Sequence, residues 1–230
     1  MELENTINLI TIKEHKIFHH CKKPIASLKA CIILPAKDEA DTITHTLTSL
    51  KNQVYFDGGK LDYSIYEVLL FVNNCTDNTY LLAKEFALQR PQFNLHIGSI
   101  NIPAPNANIG YVRRILMEEA CHRLSEYNSA NGMIISTDND TIADKYWLGH
   151  IINEIVNGYD AVGGRILTNK RCCKDILFER HKLSFTFSNS NIHYREQKKI
   201  SSIGIININS PTFSLCENNT LLVFASLYGL

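Results

Sequence analysis

The sequence predicts an α/β protein with a mainly parallel central sheet flanked by helices. Three observations carry that prediction. Short apolar runs of strand length recur between residues 31 and 167, segments of helical spacing separate them, and polar turns rich in Asn, Asp and Thr close them. Parallel strands covered by helices on both faces read as near-continuous apolar stretches of this kind.

Cys31-Ile32-Ile33-Leu34 is the first run, and Pro35, which has no backbone N–H, is predicted to stop it. Ile43, Leu47 and Leu50 then recur at helical spacing, with Asp41 or Thr42 as the cap. Tyr66 to Val72 is the second strand and breaks into the turn Asn73-Asn74-Cys75-Thr76-Asp77-Asn78. A helix from about Thr79 to Gln89 ends before Pro91. Phe93 to Ile100 reads as a third strand and Asn101 to Asn108 as loop. Gly110 to Leu124 reads as a helix with Val112, Leu116, Ala120 and Leu124 on one stripe. Met133-Ile134-Ile135 is a fourth strand ending in Ser136-Thr137-Asp138-Asn139-Asp140. Trp147, Ile151 and Ile155 mark another helix, and Ala161 to Leu167 another strand. Beyond about Thr168 the pattern weakens.

Composition narrows the function. The 230 residues, 45% hydrophobic, suffice for one domain with a buried core. Basic and acidic residues number 23 each, so no net field draws nucleic acid, and any phosphate needs a local site or a metal ion. Seven scattered cysteines, with no C-x-x-C pair, argue against a disulfide framework and fit a reducing, cytoplasmic setting. His19-His20-Cys21 lacks a second ligand pair at metal-site spacing. Residues 1–16 have no signal-like apolar stretch. The late apolar run Leu221 to Leu230 is half of the ~20 residues a bilayer needs. No transmembrane segment is expected, and peripheral membrane contact stays open.

The acidic turn carries chemistry. Asp138 and Asp140 stand two apart in an extended segment, so their carboxylates share a side. They follow a buried strand, at the edge where open α/β sheets bind ligands. Paired carboxylate oxygens suit Mg²⁺ or Mn²⁺, which could bridge to a diphosphate. A helix-capping polar turn would use the same residues.

Three stretches together resemble family-2 glycosyltransferases. Ile32-Ile33-Leu34-Pro35-Ala36-Lys37-Asp38-Glu39 resembles that family's first strand and turn, with Asp38 in place of the usual Asn. Glu67 to Val72 with Asn73-Asn74-Cys75-Thr76-Asp77-Asn78-Thr79 resembles its second strand and small-residue turn. Ile134-Ile135-Ser136-Thr137-Asp138-Asn139-Asp140 resembles its Asp-x-Asp strand, and Gly110-Tyr111-Val112-Arg113 a helix start it often has. The resemblance covers roughly residues 28 to 167 and implies a GT-A sandwich that binds a nucleotide-diphosphate sugar, most often a UDP-sugar.

On that resemblance, Pro35, Ala36 and Glu39 would line the base and ribose pocket. Asn73 would keep the base contact without the charge of the usual Asp. Asp138 would border the nucleotide, Asp140 would ligate Mg²⁺ or Mn²⁺ with Asp138 beside it, and Arg113 would sit near the diphosphate. Each has a structural role open to it as well. Glu39 could favour a helix N-terminus, Asn73 and Asn74 could serve a left-handed turn, and Arg113 could pair with Glu118 or Glu119. The implied layout is an extension over 1–27, a nucleotide-sugar-binding core over 28–167, and a partial acceptor-side region over 168–230.

An inverting transfer needs a general base, which the family supplies from a Glu-Asp pair downstream of the Asp-x-Asp turn. No Glu-Asp pair follows Asp140, and Ser210 to Leu215 and Tyr228-Gly229-Leu230 only faintly match the surrounding segments. The expectation is therefore a metal-assisted glycosyltransferase, apparently short at its C-terminus, whose base and acceptor the sequence does not identify. The alternative is a non-catalytic nucleotide-sugar-binding protein or inactive remnant. No G-x-G-x-x-G or P-loop supports a dehydrogenase or nucleotidyltransferase instead.

Overall fold

The computed structural model describes residues 17–104, 106–127, 132–157, 159, 162–163 and 221–224. Its elements are β1 (Ala30–Ala36), α1 (Ile43–Lys51), β2 (Tyr66–Asn73), α2 (Thr79–Gln89) and β3 (Leu95–Ile100), then α3 (Ile109–Ser125), β4 (Met133–Ser136), α4 (Trp147–Val156) and β5 (Leu221–Phe224). The strands form one sheet in the order β3-β2-β1-β4-β5, and every neighbouring pair is parallel. The expected α/β class and parallel sheet are both present. The expected strand from Ala161 to Leu167 lies largely outside the described residues, as do residues 170–199 and 201–220.

The two faces of the sheet hold separate cores. Ile32, Leu34, Val68, Leu70 and Ile135 pack with Ile43, Leu47 and Leu50 of α1, Phe86 of α2, and Leu148 and Ile151 of α4. Cys31, Ile33, Leu69, Phe71 and Ile134 face the other way, onto Val112, Leu116, Ala120 and Leu124 of α3. Alternating residues of one strand thus serve opposite layers, which is why β1 and β2 are apolar throughout. Ile17, Phe18 and Leu28 join the α3-side core, and the chain crosses β3 at Gly98. A Cβ there would lie 2.4 Å from Ile17 Cγ2, so the crossing needs a residue without one.

Two local expectations change. Pro35 does not stop β1, which runs through Ala36. Odd-numbered residues of β1 turn their backbone groups toward β4, as Ile33 O does in accepting from Thr137 N at 3.3 Å. Since β4 ends at Ser136, opposite Ile33, no ladder donor is lost where Pro35 lacks its N–H. Thr42 is the N-cap residue of α1, but its side chain does not cap. Its hydroxyl instead donates to Glu39 Oε2 at 2.8 Å. Cys21, Cys31 and Cys75 are free thiols, whereas Cys121 is disulfide-bonded, which the reading of the cysteines as reduced did not anticipate.

Beneath α3 lies a buried ionic cluster. Glu67 accepts from Arg123 Nε at 2.6 Å and Nη2 at 2.8 Å, from Cys31 Sγ at 3.1 Å, and lies 3.1 Å from His96 Nε2. Burial raises the Glu67 carboxyl, but the hydrogen bonds from Arg123 and His96 outweigh it and bring it down to about 2. Burial and the neighbouring Glu67 push the Cys31 thiol well up. Cys31 is the buried small side chain the sequence suggests, with a hydrogen bond the sequence does not show.

Candidate functional site

The chain lays down β1, β2 and β3 to one side, then crosses back along α3 to place β4 on the other flank of β1. That reversal puts the topological switch point between the carboxyl ends of β1 and β4, where open α/β sheets bind ligands. All the residues singled out from the sequence lie on this edge.

The turns after β1 and β2 are latched together. Asp38 and Asn74 adopt left-handed backbone, φ 55° and 51°, which Asp and Asn tolerate. Asp38 Oδ1 accepts from Thr76 N at 2.7 Å, while Asp38 N donates to Cys75 Sγ at 3.1 Å. Asp77 accepts from Ala40 N at 2.9 Å and Thr79 N at 3.0 Å, and Thr79 Oγ1 takes Glu39 N at 2.8 Å. The hydrogen bonds from Thr79 hold the Asp77 carboxyl below its usual range. Ligand atoms of Asp38, Cys75 and Asp77 fall within 4.8 Å of one another. These hydrogen bonds already account for that convergence, so it reads as a turn latch.

Asn74 closes the third turn, holding Ile102 O at 2.9 Å and Ile102 N at 3.0 Å through both ends of its amide. Its neighbour Asn73 stands at the end of β2, 6% exposed.

Across the switch point, Asn139 replaces the missing ladder. Its Nδ2 donates to Pro35 O at 2.8 Å, and its backbone carbonyl accepts from Thr46 Oγ1 of α1. Asn139 is 2% exposed, while Asp138 is part-buried and Asp140 exposed. Asn108 caps α3 by accepting from Tyr111 N at 2.9 Å, which aims the first turns of that helix at the same edge. From there Arg113 Nη2 meets Asp138 Oδ1 at 2.5 Å, not Glu118 or Glu119. Arg114 takes the surface role instead, pairing with Glu118 at 2.7 Å. Among the described residues, two buried polar atoms here have no partner: Arg113 Nε and Asn139 Oδ1.

Pro35 and Ala36 are buried at the end of β1. Glu39 turns its carboxylate to Thr42 at the entry to α1. Among the described residues, Asp140 Oδ1 has a single weak partner, Thr141 Oγ1 at 3.3 Å. The sequence reading missed Asn139 as the clamp between β1 and β4, and Asp77 with Thr79 as the latch. The recurrence of Asx and Thr residues in both turns was their one visible signal.

An open parallel α/β sheet with a carboxylate–guanidinium pair at its switch point is a frame on which many different sites are built. The match of residues 31–219 to the family described as Glycosyl transferase family 2 gives that frame a place, and the chain belongs to this family. Comparison with curated protein sequences returned no match. Among solved structures, the chain is similar to the 1–349 portion of S. aureus TarS, at 19% identity and a TM-score of 0.48 over 66% of this chain and 40% of that one. The same portion in complex with UDP-GlcNAc gives 20% identity and a TM-score of 0.47, over 66% and 38%. A mannosyltransferase from Pyrobaculum calidifontis, PcManGT, in complex with GDP-Man and Mn²⁺, gives 16% and 0.42, over 63% and 38%. The chain spans 38–40% of the length of these three structures. Among the described residues, no helix is long and apolar enough to cross a membrane.

Proposed function

We propose that this chain binds a nucleotide-diphosphate sugar at the carboxyl edge of β1, β2 and β4, and serves metal-assisted, inverting transfer of the sugar to an acceptor. The observation that carries the reading is the Arg113–Asp138 pair at the switch point, with Arg113 Nε buried and unpartnered. A buried guanidinium N–H is an incomplete arrangement that a phosphate oxygen would complete. Family membership supports the same site.

Asp140 fits a divalent cation as a hard, exposed oxygen ligand with one weak competitor. Asp138 Oδ1 is engaged by Arg113, so its part is to orient the guanidinium and present its carboxylate beside the ion. When bound, Mg²⁺ or Mn²⁺ would bridge to the diphosphate and offset the charge of the departing nucleoside diphosphate. Pro35 and Ala36 supply the wall for base and ribose, Glu39 the rim, and Asn73 the polar group within it. Cytoplasmic work on a UDP-sugar, with peripheral access to a membrane acceptor, is consistent with this donor site.

A second reading, nucleotide-sugar binding without turnover, shares this donor site. Calorimetric titration with UDP and GDP, with and without Mn²⁺, tests the shared donor site. Mn²⁺-dependent binding that Asp140→Ala abolishes is the expected result, and no binding of either nucleotide refutes it. Release of sugar from the donor by the same preparation then separates transfer from binding.

A further inference from the structure

The acidic turn has no strand ladder beneath it. β4 ends at Ser136, opposite Ile33, and the backbone contact that follows is Thr137 N to Ile33 O at 3.3 Å. Next in the chain, Asp138 O accepts from Thr141 N at 3.2 Å, which makes Asn139 and Asp140 the central pair of a tight turn. Asp138 and Asp140 therefore stand on a piece of chain that sheet pairing does not position.

Asn139 supplies what the sheet does not. Its Nδ2 donates to Pro35 O of β1 at 2.8 Å, and its carbonyl accepts from Thr46 Oγ1 of α1. Asn139 and Thr46 are 2% and 1% exposed, so both bonds are shielded from water. Asp138 has a tie of its own, to Arg113 of α3. Asp140 is exposed, and among the described residues its carboxylate meets only Thr141, at 3.3 Å.

Stability alone does not account for the Asn139 amide. Its Oδ1 is buried with no hydrogen-bond partner among the described residues, and an orphaned buried acceptor costs about as much as one hydrogen bond contributes. The side chain thus offsets one satisfied group with one unsatisfied group. What remains is a fixed place for the turn that carries both carboxylates.

We propose that Asn139 is a positioning residue for the divalent cation. By tying the turn to β1 and α1, it sets Asp138 and Asp140 so that both present oxygens to one ion. The proposal rests on the donor-site reading above and gives a part in it to a residue that acts only through its neighbours. Mg²⁺ demands near-ideal octahedral geometry, so a turn free to shift holds it poorly. Removing a group that orients a metal ligand typically costs roughly 10–100-fold in metal affinity.

Titration of the full chain with UDP, with and without Mg²⁺, tests it, and the readout is the factor by which Mg²⁺ tightens UDP. In Asn139→Leu, similar in size, that factor should fall by about tenfold or more while the metal-free affinity stays unchanged. Thr46→Val removes the tie from α1 and should lower the factor in the same direction by a smaller amount. A role confined to the fold would lower the thermal midpoint and leave the factor as it is. A folded Asn139→Leu chain with an unchanged factor overturns the proposal and leaves the donor site standing. So does an equal loss of UDP affinity with and without Mg²⁺, which would put Asn139 in the nucleotide's own pocket. If Asn139→Leu does not fold, Thr46→Val decides by the same reading. Failure of both to fold overturns the proposal, because the turn is then a support of the fold. An unaltered chain that Mg²⁺ does not tighten overturns the proposal and the cation site together. No binding of UDP under either condition overturns the donor-site reading as well.

Discussion

At the scale of single residues, the edge of the sheet divides into groups that are satisfied and groups that are not. Asp38, Asn74, Asp77 and Thr79 spend their polar atoms on each other's backbones and hold the turns in shape. Arg113 and Asn139 each keep one buried atom open. If Arg113 meets a diphosphate, Arg113→Gln weakens UDP by about tenfold or more and leaves uridine unchanged, because charge-assisted hydrogen bonds are worth roughly 1.5–3 kcal/mol. Competition binding with the two ligands reads the difference, and equal losses for both would remove the guanidinium from the phosphate site. The pairing of Arg113 with Asp138 was not legible in the sequence. Twenty-five positions separate them, and only the crossover along α3 brings them together.

At the scale of elements, the strands were legible because both faces of the sheet are covered, so β1, β2 and β4 read as unbroken apolar runs. The ionic cluster inside them was not. Glu67 looks like an isolated polar residue in an apolar strand, and its partners His96 and Arg123 lie 29 and 56 positions away. Removing Arg123 leaves Glu67 buried with only His96 and Cys31 beside it, so Arg123→Met should destabilise by up to about 3–5 kcal/mol in urea unfolding. The double variant with Glu67→Leu should recover most of that loss. Acid should act on the same group. With its folded carboxyl at about 2, below the ordinary 4.5, Glu67 stabilises fully above about pH 4.5. That contribution falls away as the pH drops through this interval toward 2. Thermal midpoints measured from about pH 6 down to about pH 3 should decline less in Glu67→Gln than in the unaltered chain, which has more to lose.

At the scale of the molecule, β1 and β2 lie inside the sheet with packed layers on both faces, and β3 lies outside β2. Hydrogen exchange should therefore be slowest in the amides of β1 and β2 and faster in β3, which a mass-resolved exchange series checks. Equal protection in all three would mean that the sheet opens as one unit. The class of the fold was legible at this scale, from the alternation of runs alone. The polar turns marked the end of the sheet that carries the candidate residues. How far β1 outruns β4 was not legible, because it depends on where two neighbouring strands part company.

That parting is controlled by one side chain. β4 leaves the sheet opposite Ile33 while β1 continues to Ala36, and the amide of Asn139 reaches over to hold the carbonyl of Pro35. The seam between the two halves of the sheet is therefore fastened at its open end by a removable stitch. Proteins sharing this sheet could widen or narrow the gap between the ends of these two strands by changing the residue at that stitch, with the strands beneath left as they are.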